Sequence, residues 1–193
     1  MPNAVLVLTK ELSRGRFCVY QSRPDFDLLC VKQTHSSIVL EEKNCNEQIA
    51  DGIVGSSTTP LAILTADCLP ILLLGEKEHA LIHAGWKGLQ NEILNSDIVK
   101  KINPLYAFIG PHISTLRYEV QPDFKENFSL KSAFIENEGK LYFDLAEVAR
   151  TQLKQISPTI IIEESGICTF LHNDFHSYRQ NQTIKRNWNI YIP

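Results

Sequence analysis

Three side chains able to bind a transition metal stand where an apolar run meets a turn: His35 after Val31-Lys32-Gln33-Thr34, Cys68 after Leu64-Thr65-Ala66-Asp67, and His83 after Ala80-Leu81-Ile82. Strand ends far apart in sequence converge when their strands share a sheet edge. A His, a Cys and a His gathered there would give three soft-to-borderline ligands suited to zinc, with a fourth tetrahedral position left for water or substrate. The spacing alone leaves a plain alternative, because a free cysteine at a buried strand end is most often packing. Cys68 and His83 also have the chemistry of a nucleophile and its base, a use of the sulfur lone pair that competes with metal binding.

The segment His83-Ala84-Gly85-Trp86-Lys87-Gly88 puts two glycines and an aromatic between an apolar strand and a helix. Backbone there can approach a ligand closely, and helix N-terminal N–H groups, with Lys87 beside them, can face an anion. Arg179 offers a planar fork suited to phosphate, although a solvated surface charge is an equal reading for it and for Lys87. Tyr118 is a hydrogen-bond donor that serves equally well in a core. Asp67, next to Cys68, is a carboxylate able to orient a metal-bound histidine or a water. His112 titrates near neutrality and is a candidate acid or base, with a hydrogen-bonded structural histidine as the alternative. His172 and His176 lie four apart, but with no third ligand in view they read as loop residues rather than a second metal pair.

The elements that must position these residues are mostly strands. Val5 to Leu8, Phe17 to Gln21, Leu28 to Gln33 and Ile38 to Leu40 are short β-branched, aromatic or Leu-rich runs. A denser block of Ile53-Val54, Leu61 to Leu64, Pro70 to Leu74 and Ala80 to His83 suits strands buried on both faces. Tyr106 to Ile109, Leu141 to Phe143, Thr159 to Ile162 and Asn189 to Ile192 complete the strand set. One helix is expected after Gly88, with Leu89, Ile93, Leu94, Ile98 and Ile102 on one face and Asn103-Pro104 as its stop. A second opens at Asp144, an N-cap with Glu147 three residues on, and runs along Leu145, Val148, Ala149, Leu153 and Ile156 to Ser157-Pro158. The pattern is α/β or α+β, a mixed β-sheet sandwich flanked by helices, with no repeat and no linker to divide residues 1–193 into more than one domain.

Composition bounds the function classes. The 193 residues are 44% hydrophobic and 21% charged, enough to build and cover a core, which excludes a disordered tail. A net charge of −3 gives no electrostatic footprint for nucleic acid. The longest apolar run, Leu69 to Leu74, is far too short to span a membrane, and the N-terminus lacks the basic start of a signal peptide. Five cysteines without a Cys-x-x-Cys suit a reducing compartment, so a cytoplasmic protein is expected.

Five motifs in order carry a family resemblance: Thr65-Ala66-Asp67-Cys68-Leu69-Pro70, His83-Ala84-Gly85-Trp86-Lys87-Gly88-Leu89, Ile109-Gly110-Pro111 followed by Tyr118-Glu119-Val120, Cys168-Thr169, and Ser177-Tyr178-Arg179. With Gln33-Thr34-His35 they run from about residue 33 to residue 179, and the sequence resembles the YfiH family, carried under older labels as laccase-domain or polyphenol oxidase proteins. The resemblance implies a YfiH-like fold, zinc held by His35, Cys68 and His83, and phosphorolysis of adenosine, inosine, guanosine and methylthioadenosine together with adenosine deamination. It places a purine nucleoside and phosphate as partners, with Lys87, Arg179 and Tyr118 about the substrate and Asp67, His112 and Arg179 as catalytic candidates. The chain departs from the family pattern at His112, where a cysteine is usual, and at His176 and Gln180, where aromatic-Ser-Tyr-Arg-Arg is usual. Its N-terminal part is short and lacks the family's Arg-Gly-Gly segment. These departures fall on the substrate-covering loops and on part of any phosphate site.

Three other readings are set beside this one. A conventional laccase is disfavoured, since a blue-copper centre would consume two of six histidines and leave four for a multicopper cluster, with no His-x-His pair. A copper-dependent polyphenol oxidase at a single substituted site remains, because copper outcompetes zinc at many N/S sites. The zinc deaminase pattern of His-x-Glu with Pro-Cys-x-x-Cys is absent, so deamination would need another solution. A cysteine hydrolase built on Cys68 and His83 is the second reading. A non-enzymatic, zinc-stabilised interaction protein is the third, and it requires a closed site with Cys168 as fourth ligand.

Overall fold

The computed structural model describes residues 4–45 and 47–193. Fourteen strands follow one another as β1 (Leu6–Glu11), β2 (Arg16–Tyr20), β3 (Leu29–Cys30), β4 (Val39–Glu41), β5 (Gly52–Gly55), β6 (Leu61–Thr65), β7 (Leu69–Leu74), β8 (His79–Ala84), β9 (Tyr106–Ile109), β10 (Glu119–Val120), β11 (Phe134–Asn137), β12 (Lys140–Phe143), β13 (Ile161–Glu164) and β14 (Asn187–Ile192). The α-helices are α1 (Trp86–Gln90), α2 (Asp97–Lys101), α3 (Leu145–Ile156) and α4 (Tyr178–Asn181). A five-stranded sheet has the order β1-β2-β14-β6-β3, a six-stranded sheet β13-β9-β7-β8-β5-β4, and a small sheet β10-β12-β11. Parallel and antiparallel pairs occur in both large sheets. The fold is the expected mixed-sheet sandwich with flanking helices.

The six-stranded sheet is the middle layer, and strand periodicity sorts its side chains into two cores. Leu69, Ile71 and Leu73 of β7 pack with Leu145, Val148, Ala149 and Leu153 of α3 and with Leu141 and Phe143 of β12. Leu72 and Leu74 point the other way and meet Phe17, Val19, Leu61, Ile63 and Tyr191 of the five-stranded sheet. On β8, His83 has the parity of Leu81 and so lies on the face toward the five-stranded sheet. Of the connections that cross between these sheets, two run from the five-stranded to the six-stranded one: that from β3 to β4 carries His35, and that from β6 to β7 carries Cys68.

The helix from Asp144 forms as the sequence requires. Asp144 accepts from the Glu147 N–H at 2.8 Å, a cap that contributes about 1 kcal/mol. Glu147 does not complete a capping box; its carboxylate takes Ser132 Oγ and the Arg150 guanidinium instead. The small sheet contains two strands the sequence reading missed, β10 and β11. The β11–β12 hairpin turns on Glu138 and Gly139, both at positive φ, the signature of a type I′ turn with glycine at its second central position.

The helix expected after Gly88 is a correction. The chain is helical already from Trp86, breaks after Gln90, makes a 3₁₀ turn over Ile93–Asn95 and resumes only at Asp97. Glu92 is left-handed at φ 54°, and Ser96 is extended, so two backbone reversals interrupt the periodic stripe. Leu89, Ile93, Leu94 and Ile102 of the stripe are nevertheless buried, whereas Ile98 is only half-buried and Val99 is buried in its place. The left-handed residue gives a test: Glu92→Gly is expected to be neutral or stabilising by about 1 kcal/mol in chemical denaturation, because glycine relieves the strain of positive φ. In a continuous helix the same substitution would destabilise by about as much.

Candidate metal centre

At one end of the sandwich the three sequence candidates come together. One ligand atom each from His35, Cys68 and His83 lies within 4.8 Å of the others, and among the described residues no other group of three His, Cys, Asp or Glu does so. Cys68 Sγ is 3.9 Å from His35 Nε2. The His35 and His83 rings meet nearly edge to face at 4.8 Å. A tetrahedral zinc with its usual bond lengths separates S from N by about 3.5 Å, so a small contraction seats an ion. His83 is buried, Cys68 half-buried and His35 exposed, which leaves the cluster open on the solvent side.

Close packing of backbone makes room for the ligands. A Cβ on Gly85 would stand 3.1 Å from Cys68 Sγ and 3.1 Å from a His35 ring carbon, so the glycine after β8 is the floor of the cluster. Two ligand loops hold unfavourable backbone: His35 sits at φ 60° and Asp67 at φ 92°. Positive φ in non-glycine residues persists only where surroundings over-determine it.

The residue that over-determines the His35 loop is Asp51, which sequence reasoning missed. Fully buried at the start of β5, its carboxylate accepts from the N–H groups of Thr34 at 3.3 Å, His35 at 3.1 Å and Ser36 at 2.5 Å, and from Ser36 Oγ at 2.7 Å. Its Oδ1 also lies 2.7 Å from His83 Nδ1, which turns His83 Nε2 toward the cluster. Antiparallel pairing of β5 with β8 sets Asp51 opposite His83, and the His83 N–H donates to the Asp51 carbonyl. The available signal was an acid at the mouth of an apolar strand; its meaning required the strand pairing.

These contacts set the proton affinities. Burial raises the Cys68 thiol, but the His83 charge and hydrogen bonds from both histidines outweigh it and bring it down to about 6. Burial lowers His83, yet the Cys68 thiolate and the Asp51 carboxylate raise it to about 9. Burial works against the Asp51 carboxylate too, and the bonds from His83 and Ser36 still hold it near 2. Without a metal the pair is thus a thiolate and an imidazolium backed by a carboxylate.

The other expected residues divide. Tyr118 is buried, with the Arg179 guanidinium 4.6 Å from its ring centre, and burial and then the Cys68 charge push its phenol upward. Arg179 also donates from Nη1 to the Glu119 carbonyl at 2.7 Å. Lys87 is exposed on α1 with its ammonium 5.5 Å from the Trp86 ring centre. Asp67 requires a correction, because its carboxylate accepts from Thr169 Oγ1 and from the Arg179 N–H, each at 2.7 Å; Asp51, not Asp67, orients the metal-site histidine. His112 is buried, with Nδ1 on the Gly110 carbonyl at 2.8 Å, and burial lowers its pKa. It lines a separate cleft of about 170 Å³ with Ser114, Arg150, Glu164 and Cys168 that shares no residue with the cluster. Cys168 accepts from the Ser114 N–H and hydroxyl and stands outside the cluster, so it does not close the site as a fourth ligand. His172 is exposed, and His176 Nε2 lies 2.9 Å from the Gln21 carbonyl. All five cysteines are free. No helix among the described residues is long and apolar enough to cross a membrane.

The chain is thus an α+β sandwich with an open nitrogen and sulfur donor set, able to hold a metal ion, at its end. Residues 11–190 match the family model described as multi-copper polyphenol oxidoreductase laccase, and the chain belongs to that family. Within it, the chain is 30% identical to a purine nucleoside phosphorylase of Borreliella burgdorferi, over 94% of this chain and 86% of the relative. It is also 30% identical to purine nucleoside phosphorylase YfiH of Escherichia coli K12, over 81% and 70%. A solved Neisseria meningitidis structure superposes with a TM-score of 0.76 at 29% identity, covering 86% of this chain and 75% of that one. Bacillus licheniformis YfiH gives 0.75 at 26% identity, covering 86% and 73%.

Two outcomes follow from the geometry. Asp51→Asn is expected to weaken zinc binding by about 10- to 100-fold in a chelator competition while the protein stays folded. Zinc must displace the His83 proton below pH 9, so apparent affinity should fall about tenfold per pH unit from 9 to 6. Below 6 it should fall more steeply as Cys68 also protonates, which a zinc titration at several pH values reads directly.

Proposed function

We propose that this protein is a zinc-dependent purine nucleoside phosphorylase that also deaminates adenosine. The observation that carries the proposal is a three-ligand cluster, open to solvent, in which Cys68 is the chain neighbour of Asp67, whose carboxylate accepts from the backbone N–H of an arginine that lies over a buried tyrosine. Relatives that carry the name purine nucleoside phosphorylase point the same way. Structural zinc sites are usually closed by four protein ligands, so three ligands with an open face favour catalysis over a scaffold.

In this reading His35, Cys68 and His83 hold the ion. When bound, zinc supplies positive charge for a phosphate oxyanion or polarises a water. Asp51 fixes the His83 tautomer and keeps the His35 loop in its strained geometry. Arg179 and Lys87 attract and orient phosphate, and Tyr118 limits where the arginine can lie while offering its hydroxyl to substrate. In phosphorolysis a phosphate oxygen bonds to the ribose anomeric carbon as the bond to the purine nitrogen breaks, and the base leaves with the electron pair and takes a proton. In deamination, water adds at C6 of adenine and ammonia leaves.

A second reading has its own support: Cys68, His83 and Asp51 form a thiolate, imidazolium and carboxylate array of the kind that serves cysteine hydrolases. Metal dependence separates the two.

The test is chromatography of products after incubating metal-quantified protein with adenosine, with and without phosphate. Adenine formed only with phosphate establishes phosphorolysis, and inosine formed without it establishes deamination. His83→Ala and Cys68→Ser are each expected to abolish zinc retention and turnover, whereas His172→Ala changes neither. An active, metal-free Cys68→Ser protein overturns the mechanism, and activity that survives chelation but not Cys68→Ser selects the hydrolase.

A further inference from the structure

Arg179 is solvent-exposed yet held at three points. Its backbone N–H donates to Asp67 Oδ2 at 2.7 Å, its Nη1 donates to the Glu119 carbonyl at 2.7 Å, and its guanidinium lies 4.6 Å from the centre of the Tyr118 ring. Ordering a long exposed side chain costs rotamer entropy, and the usual return is an ion pair. Arg150 shows that usual case, with Asp144, Glu147 and Glu164 around its guanidinium. Among the described residues Arg179 has no carboxylate at ion-pair distance. An oriented guanidinium with its charge uncompensated is a preorganised oxyanion contact.

The carboxylate that could have neutralised it is used otherwise. Asp67 is 6% exposed, and its oxygens take the Thr169 hydroxyl at 2.7 Å and the Arg179 backbone N–H. Its carbonyl accepts from the Ile113 N–H at 3.0 Å, and the Thr169 N–H donates to the His112 carbonyl at 2.9 Å. One residue, held at φ 92° and adjacent to Cys68, thereby ties together the segments that carry Tyr118, Thr169 and Arg179. Thr169 is fully buried, and its hydroxyl fixes the rotation of the Asp67 carboxylate so that the second oxygen meets the start of α4.

We propose that Asp67 and Thr169 are positioning residues for Arg179, and that the guanidinium they place binds an inorganic oxyanion beside the His35-Cys68-His83 cluster. The oxyanion is phosphate in the reaction proposed above, so its catalytic meaning rests on that reading, while the anion contact itself is measurable without turnover.

The experiment is calorimetric titration of inorganic phosphate into the protein as purified, with metal content measured for every sample. Wild type binds phosphate, and Arg179→Ala and Thr169→Val each weaken binding by about tenfold, the loss expected for one charge-assisted contact. Thr169→Ser, which keeps the hydroxyl, stays within about twofold of wild type, and metal content is unchanged throughout. In turnover with adenosine, the phosphate KM follows the same order while the nucleoside KM does not. Thr169→Val with wild-type phosphate affinity, or a wild type that binds none, overturns the assignment. If Thr169→Val fails to fold, Tyr118→Leu removes the ring beside the guanidinium and leaves Asp67 untouched; the same weakening is expected, and its absence overturns the assignment as well. The predicted binding pattern without any phosphate-dependent product from adenosine would refute the nucleoside reading alone.

Discussion

Five hydrogen-bond contacts converge on the buried carboxylate of Asp51, and the site depends on them. Four come from the loop of Thr34 to Ser36 and one from His83, so a single charge fixes both histidines of the cluster at once. Burying a carboxylate is costly unless every lone pair is matched, and this one is matched by backbone N–H groups that have few other uses. The strained φ of His35 is the visible consequence, because three successive N–H groups can reach one acid only when the loop folds tightly around it.

The sandwich explains why the cluster sits where it does. His35 and Cys68 lie on connections that cross from the five-stranded sheet to the six-stranded sheet, and His83 closes β8 on the face between them. Loops at that end must bend sharply to change layers, and sharp bends expose backbone N–H groups that carboxylates can collect. Asp51 and Asp67 each do this: Asp51 holds the His35 loop and His83, and Asp67 holds Thr169 and the start of α4 at Arg179. The two carboxylates divide between them a job the sequence suggested for Asp67 alone.

Much of this was legible before any coordinates. The apolar runs gave the central strands nearly to the residue at Tyr106–Ile109, and the Asp144 cap and its stripe gave α3. The long helix failed because a periodic stripe records roughly which residues are buried, not whether the backbone between them is continuous; Glu92 and Ser96 break it, and the phase shift after the break buries Val99 where the stripe had Ile98. Strands β10 and β11 escaped notice because a two-residue strand and a half-exposed one carry almost no hydrophobic signal. The burial of His112 and its bridge to Cys168 were not legible in the sequence, because they depend on pairing between segments far apart along the chain.

The sequence by itself determined the fold class, the motif order that marks the family, and three metal-capable residues at the borders of apolar runs, because residue type and periodicity are local properties written along the chain. Only the tertiary structure decided that those three meet, that Cys168 does not join them, and that Asp51 rather than Asp67 orients His83. Each of those facts depends on strand pairing and on which way a buried carboxylate turns. Pairing joins residues distant in sequence, and the direction of a hydrogen bond is fixed only when both partners are held in three dimensions.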